Sequence, residues 1–424
     1  MKKLLALILT ALLVLSVCAF AAAEEMPTIT MLIDTQTPMD GIKAVIEAAK
    51  EAIGVNVEVE LRPGGDEGDN LMKARIAANE MPDMMFYNSG SKLNEMNPAE
   101  NFLDLSAYPE IIERLDPSFK SAVTVGDGVY GIPMASSQAG AILYNRAIYE
   151  ELGLTVPTNW DEFVANCKAA SEAGYAGIIG TFGESWTSQV LFLGDYFNVV
   201  AGNPNFAKEF EAGTAKYATT PSAVRSFEKY AELVPYYNED YIAATYEDGC
   251  EYIAEGVGAH WIILTQALGN IYELYGKETV DQIGVFGVPS DDGNNGLTVW
   301  VANAIYVNKN AENLDAVLKF LNFYMSDAAL DIYAEKLLPY GPFCVTGYQM
   351  GDNAFKAVSE DMQAYFDAGQ TYVAQEFECA IKGANCESIC IEVGTGAISA
   401  EEAAQIYDED CYKMAVQLGF DWDN

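Results

Sequence analysis

A single histidine, His260, serves a chain of 424 residues. That leaves a Ser-His-Asp triad or a histidine-based metal centre almost nothing to work with. Phosphate-cradling loops of the G-x-x-x-x-G-K-[ST] kind are missing as well. Positive charge is scarce: 23 Lys and Arg stand against 62 Asp and Glu, a formal net charge of −39. Such a surface repels nucleic acid and anionic lipid headgroups, so neither is an expected partner, and it argues mildly against a strongly anionic ligand. No apolar run reaches the ~18 residues of a membrane-spanning helix. Repeats of fixed period and low-complexity blocks are absent. Cysteine lacks the C-x2-C pairs of a zinc site, since Cys379, Cys386 and Cys390 are more widely spaced. Beyond Cys18 the cysteines are odd in number, so at least one thiol is expected to stay unpaired. A disulfide in the C-terminal region and buried free thiols are the alternatives. Neither a cofactor nor a metal is expected.

What is present begins with a leader. Lys2 and Lys3 form a charged start, Leu4 to Val17 an apolar run, and Ala21-Ala22-Ala23 a small-residue cleavage site. Residues 1–23 therefore read as an export signal and are set aside from the fold. Leu15-Ser16-Val17 before Cys18 partly matches a lipid-attachment pattern, but Val17 stands where a small residue is normally required. Cleavage after Ala23 is favoured over lipidation of Cys18. The processed protein is expected to be soluble and outside the cytoplasmic membrane.

The remaining length, with half of all residues hydrophobic, suits two large lobes. Pro27 to Ile33 reads as a buried strand. Ile42, Val45, Ile46 and Ala49 then recur at helical spacing, and Gly54 ends that helix. Val55, Val57, Val59 and Leu61 alternate as a strand, the loop from Gly64 to Asp69 leads into a second helix, and MPDMMFY (Met81 to Tyr87) gives a third strand. This alternation is that of an α/β lobe with a largely parallel sheet. Ligands in such sheets bind beyond the carboxyl ends of the strands, where the loops holding Asp34, Asp66 and Asn88 should gather. Further on, Gly131 to Pro133 and Ala141 to Tyr144 read as strands flanking a small, hydroxyl-rich segment with Ser136, Ser137 and Gln138. Asn159 and Glu162 have capping-box-like spacing at the start of a helix, with Trp160 as a packing anchor. The DDGNNG stretch (Asp291 to Gly296) reads as a plain turn rather than a calcium loop. VWVANAIYVNK (Val299 to Lys309) reads as one strand, and a mixed, helical C-terminus follows.

Four landmarks in this order carry a family resemblance. They are Met81 to Tyr87, Gly128 to Phe163 (GVYGIPMASSQAGAILYNRAIYEELGLTVPTNWDEF), Glu251 to Ile271 (EYIAEGVGAHWIILTQALGNI), and IGVFGVPSDDGNNG with Asn308 to Leu330. The chain resembles an extracellular solute-binding protein of the sugar-type ABC importers, in the maltose-binding-like group. The resemblance implies a two-lobed α/β fold of the periplasmic-binding-protein type (class II), each lobe a mixed, mostly parallel sheet flanked by helices. The first lobe would hold residues 27–134 plus 295–340, and the second 138–290 plus 345–424. Ligand would bind between the lobes, which close by a hinge, and the closed form would dock, as a monomer, on a membrane permease. Departures occur at His260, at Asp34, where an aromatic is frequent, and in the loop Ser136-Ser137-Gln138, so ligand identity does not carry over.

A sugar site needs aromatic platforms and polar partners for hydroxyls. The expected platforms are Trp186, Trp261 and Trp300. The expected polar contacts are Asp34, Asp66, Glu184, Tyr87, Asn88, Ser136, Ser137 and Tyr340. A neutral mono- or oligosaccharide is the expected ligand. The near rival is a cation such as a polyamine, held by carboxylates. A glycosidase built on two acidic residues is the rival from another class, although no motif singles out such a pair; a peptide-binding or adhesion role ranks third.

Overall fold

The computed structural model describes residues 26–422, apart from Gln36 and the side chain of Asp66. The expected leader 1–23, with Cys18, lies outside the described residues. Ten strands build two sheets: β1 Thr28–Asp34, β2 Asn56–Arg62, β3 Met84–Tyr87, β4 Gly131–Pro133, β5 Gln138–Asn145, β6 His260–Leu264, β7 Ile283–Phe286, β8 Leu297–Trp300, β9 Ala304–Val307 and β10 Thr371–Val373. The first sheet runs β2-β1-β3-β9-β4, and the second β10-β8-β5-β6 with β7 also paired to β5.

In the first sheet β1, β2 and β3 are parallel, because the helices Asp40–Ile53 and Gly65–Ala78 carry the chain back between them. The first of these helices buries Ile42, Val45, Ile46 and Ala49, the apolar positions read from the sequence. Parallel pairing is less general than expected: β9 and β4 join antiparallel, and in the second sheet β5 is antiparallel to β6, β7 and β8. These strands enter from the other lobe or through returning segments, so their direction is set by where the chain crosses.

Those crossings decide one correction. Val299 to Lys309 is two strands, in different sheets. Val299 pairs with Ala139 of β5, whereas Tyr306 pairs with Met85 of β3. The return to the first sheet thus lies at Val301–Asn303 rather than at 295. The break is stable because its backbone groups find partners outside any ladder. Ser89 Oγ donates to the Ala302 carbonyl at 3.0 Å, and Met134 N donates to the Asn303 carbonyl at 3.0 Å. A third crossing, after the helix Asp327–Lys336, lies beside the first, with Ser137 N and Oγ both donating to the Pro342 carbonyl at 2.9 and 2.8 Å. The approach is so close that a Cβ on Gly341 would stand 2.2 Å from the Ser137 carbonyl oxygen.

One apolar cluster extends from the first sheet through the crossings to the inner face of the second. Another, rich in aromatics, fills the outer side of the second lobe, with Phe192 stacked on Phe227 at 4.7 Å and Tyr217 edge-on to Tyr407 at 5.1 Å. Trp160 is fully buried there, its indole N–H donating to Glu232 Oε2 at 2.6 Å. Its helix is capped by Asn159, while Glu162 reaches back to Thr158 N instead of the cap residue. The C-terminal region resolves into two helices, Cys386–Gly394 and Ala400–Leu418, and the seven described cysteines are free and buried. In the DDGNNG turn Asp291 pairs with Arg225, and Asp292 accepts from Ser290 Oγ and Asn294 N.

The same lobe encloses an ion pair. Lys229 Nζ lies 2.6 Å from Asp195 Oδ1, with both side chains almost wholly buried. Lys229 also donates to the Pro289 carbonyl, and Asp195 accepts from Ser226 Oγ and Asn198 Nδ2. Full partnering is what makes such burial tolerable. Lys229→Met strands the carboxylate and should cost about 3–5 kcal/mol in urea unfolding. The double change Lys229→Met with Asp195→Leu should recover much of that loss.

Candidate functional site

Three parallel strands end side by side, and their carboxyl ends deliver Asp34, Arg62 and, one residue past β3, Asn88 to one place. There they line a cavity of about 470 Å³. Its other walls come from the crossings: Ser136 and Gln138 from the first, Trp300 and Asn303 from the second, Tyr340 from the third. Beside it is a second cavity of about 460 Å³, which shares Asn88, Lys92, Gln138, Trp300 and Asn303. Ser89, Ser91, Glu95, Glu376 and Lys382 add to its polar wall.

Arg62 is the most constrained group of the first cavity, with 4 % of its surface exposed. Nη1 donates to the Pro63 carbonyl at 2.9 Å and Nη2 reaches the Phe86 carbonyl at 3.5 Å, but Nε is buried without a partner. Arg62 makes no ion pair among the described residues. The guanidinium sits 6.0 Å from the centre of the Tyr87 ring. Gln138 carries the complementary vacancy, since its Oε1 is buried with no donor. Lys92 lies 3.3 Å from Asp69, which also accepts from Tyr87 Oη. Burial first, and the Asp69 charge second, push the Tyr87 phenol well above its ordinary range. Burial likewise raises Tyr340.

Trp300 is held on two sides. Its Nε1 donates to Glu376 Oε1 at 2.8 Å, and its benzo edge lies over Gly140, where a Cβ would come within 2.8 Å. The indole thus stands, half-buried, in the wall of both cavities.

Asp34, Asn88, Ser136, Trp300 and Tyr340 therefore meet around one cavity. The other expected residues are elsewhere. Trp261 is 1 % exposed and packs on Gly249 and Tyr246 in the core, because its register in β6 opposite Leu143 turns it inward. Trp186 rests half-buried on Tyr246, at 5.3 Å, and Glu184 Oε2 accepts from Tyr246 N at 3.1 Å, so both serve the start of the helix Tyr246–Ala254. Tyr87 is wholly buried beneath the cavity, and Ser137 spends its hydroxyl on the third crossing. The side chain of Asp66 lies outside the described residues. Arg62 went unnoticed at the end of an alternating strand, although the rule that selects Asp34 and Asn88 selects it equally. Glu376 and Lys382 had no local signal.

His260 has no part in the cleft. It is fully buried, with Nδ1 at 2.7 Å from the Gly177 carbonyl and Nε2 at 2.7 Å from Tyr149 Oη. The carbonyl can only accept, so Nδ1 carries the proton and Nε2 accepts from Tyr149.

Comparison with known proteins agrees with this architecture. The sequence pattern of the family described as bacterial extracellular solute-binding protein matches residues 34–330. The chain belongs to that family. Among relatives of this solute-binding protein, the multiple sugar-binding protein of Streptococcus mutans is 24% identical over 319 residues, 70% of each chain. The melibiose/raffinose/stachyose-binding protein MelE of Bacillus subtilis is 26% identical over 158 residues, covering 37% of this chain and 36% of its own. The apo-form of RafE from Streptococcus pneumoniae superimposes with a TM-score of 0.76 at 18% identity, over 93% of this chain and 100% of that one. RafE in complex with raffinose gives 0.67 at 19% identity, over 92% and 99%. At these identities the superpositions establish the two-lobed fold. The relatives are binding proteins, and among the described residues no helix is long and apolar enough to cross a membrane.

Burial lowers the His260 pKa to about 4. The unfolded chain takes up this proton below about pH 6.5, whereas the folded protein resists it until about pH 4. Its contribution is complete above pH ~6.5 and fades as pH falls toward 4, by about 3 kcal/mol in all. A His260→Gln variant should be less stable than the parent at pH 7 yet lose less on going to pH 4.5, as measured by urea unfolding at both pH values.

Proposed function

We propose that this solute-binding protein captures a neutral mono- or oligosaccharide in the cleft and delivers it, as a monomer, to the membrane permease of an ABC importer. One lobe holds residues 27–134 and the returning stretch from Ala304 to about 340; the other holds 138–300 and 345–424. The leader exports the chain and is removed after Ala23 rather than retained through a lipid on Cys18.

The observation that carries this reading is the make-up of the first cavity's wall: an indole beside the amides of Asn88, Gln138 and Asn303, side chains that both donate and accept. A sugar hydroxyl both donates and accepts, so the hydroxyls of a ring can meet these amides while an apolar ring face lies on Trp300. A polyamine offers donors alone. It would also bring positive charge beside a buried guanidinium that makes no ion pair among the described residues, an unfavourable arrangement. The carbohydrate names of the relatives point the same way. We read the cleft as a binding site without a chemical step: the one histidine is buried elsewhere, and Asp69 is occupied by Lys92 and Tyr87.

Titration of the purified protein with sugars and polyamines, followed by melting temperature and tryptophan fluorescence, tests this reading. A bound sugar at 100 times its Kd should add ~2.7 kcal/mol of stability. Trp300→Ala should weaken sugar binding by about 2 kcal/mol while leaving the fold intact. A shift seen with spermidine and with no sugar would reverse the choice of ligand, and steady turnover of a glycoside would sink the binding-only reading.

A further inference from the structure

The cleft is double. Its two cavities, about 470 and 460 Å³, are each within the ~300–1,000 Å³ usual for a complete small-molecule site. They are not separate pockets, because Trp300, Asn88, Gln138 and Asn303 belong to the walls of both. The far wall of the second cavity comes from the C-terminal part of the chain, with Phe377, Ala380, Lys382 and Leu418. All four lie beyond residue 330, where the family match ends. This wall is anchored to the first lobe by Ser91 Oγ, which donates to the Glu376 carbonyl at 2.6 Å. It sets Lys382, 3.8 Å from the Glu376 carboxylate, beside the exposed apolar side chain of Leu418, 48% accessible, a surface suited to a ring with a hydroxyl rim and an apolar face.

We propose that the natural ligand is an oligosaccharide that passes across Trp300 and occupies both cavities, and that Phe377 to Lys382 with Leu418 set the preferred length. This rests on the carbohydrate reading of the first cavity. A single ring can fill the first cavity but leaves the second wall to water. A chain crossing the indole covers both walls and gains contacts in proportion. Because Glu376 holds the Trp300 N–H, the wall of the second cavity also orients the platform used in the first.

The test is calorimetry on the full processed chain with three matched series: glucose and maltotriose, xylose and xylotriose, galactose and raffinose. In the series that binds, the trisaccharide should exceed its monosaccharide by about tenfold or more in affinity, some 1.4 kcal/mol. Ala380→Trp fills the second cavity from an exposed position, and should bring the trisaccharide-to-monosaccharide ratio down toward one. Lys382→Ala should lower the same ratio without added bulk, and thermal melting of each variant verifies folding. A monosaccharide bound as tightly as its trisaccharide, or a ratio untouched in both folded variants, overturns the two-cavity proposal and leaves the carbohydrate reading standing. A protein that binds no member of any series overturns both.

Discussion

The molecule depends on the lateral hydrogen bonding of its three crossing segments. Ser137 gives both its N–H and its hydroxyl to the Pro342 carbonyl, and Met134 N–H holds the Asn303 carbonyl. Without these bonds, buried backbone groups at the boundary of the sheets would lack partners, at a cost comparable to several lost hydrogen bonds. With them, three short segments form a narrow joint whose backbone groups are satisfied. The same joint forms one side of the cleft. Small residues are needed there for a geometric reason, since Gly341 lies against the Ser137 backbone with no room for a Cβ.

Charge is distributed against this background in an informative way. The chain is strongly acidic, yet Arg62, Lys92 and Lys382 all face the cleft. Lys92 and Lys382 have carboxylates near them, at 3.3 and 3.8 Å. Among the described residues Arg62 has carbonyl oxygens and the Tyr87 ring beside it. A surface rich in carboxylate repels polyanions, whereas the cleft combines donors, acceptors and an indole. Recognition of a neutral polyol requires that balance, because each hydroxyl left unpaired in a closed site costs more than a pair gained.

Much of the first lobe was legible from residue order. Helical spacing in Ile42 to Ala49 and the buried Val55 and Val57 report which side of each element faces the core, but the strand's alternation fails at its end, where Leu61 is exposed and Arg62 buried. The order of strands and helices implies parallel strands with a common carboxyl edge. That edge rule placed Asp34 and Asn88 in the cavity wall. It applies to Arg62 as well, the residue that follows the alternating stretch Val55 to Leu61. Tryptophan was the less reliable guide. Trp186, Trp261 and Trp300 look alike as indoles in or near loops, but only Trp300 faces the cavities, whereas Trp261 is inside the second lobe and Trp186 covers a helix start.

The sequence by itself determined the family, the export leader as an expectation, the alternation of strands and helices, and the small-residue character of the crossings. These are local patterns, carried by neighbours within a turn or a strand. Tertiary structure alone decided that Val299 to Lys309 divides between two sheets, that Trp261 turns inward opposite Leu143, and that Glu376 reaches Trp300 across 76 residues to hold its indole. Such contacts follow from pairing register and lobe packing. They join segments far apart in the chain, where no periodicity in either segment records the other.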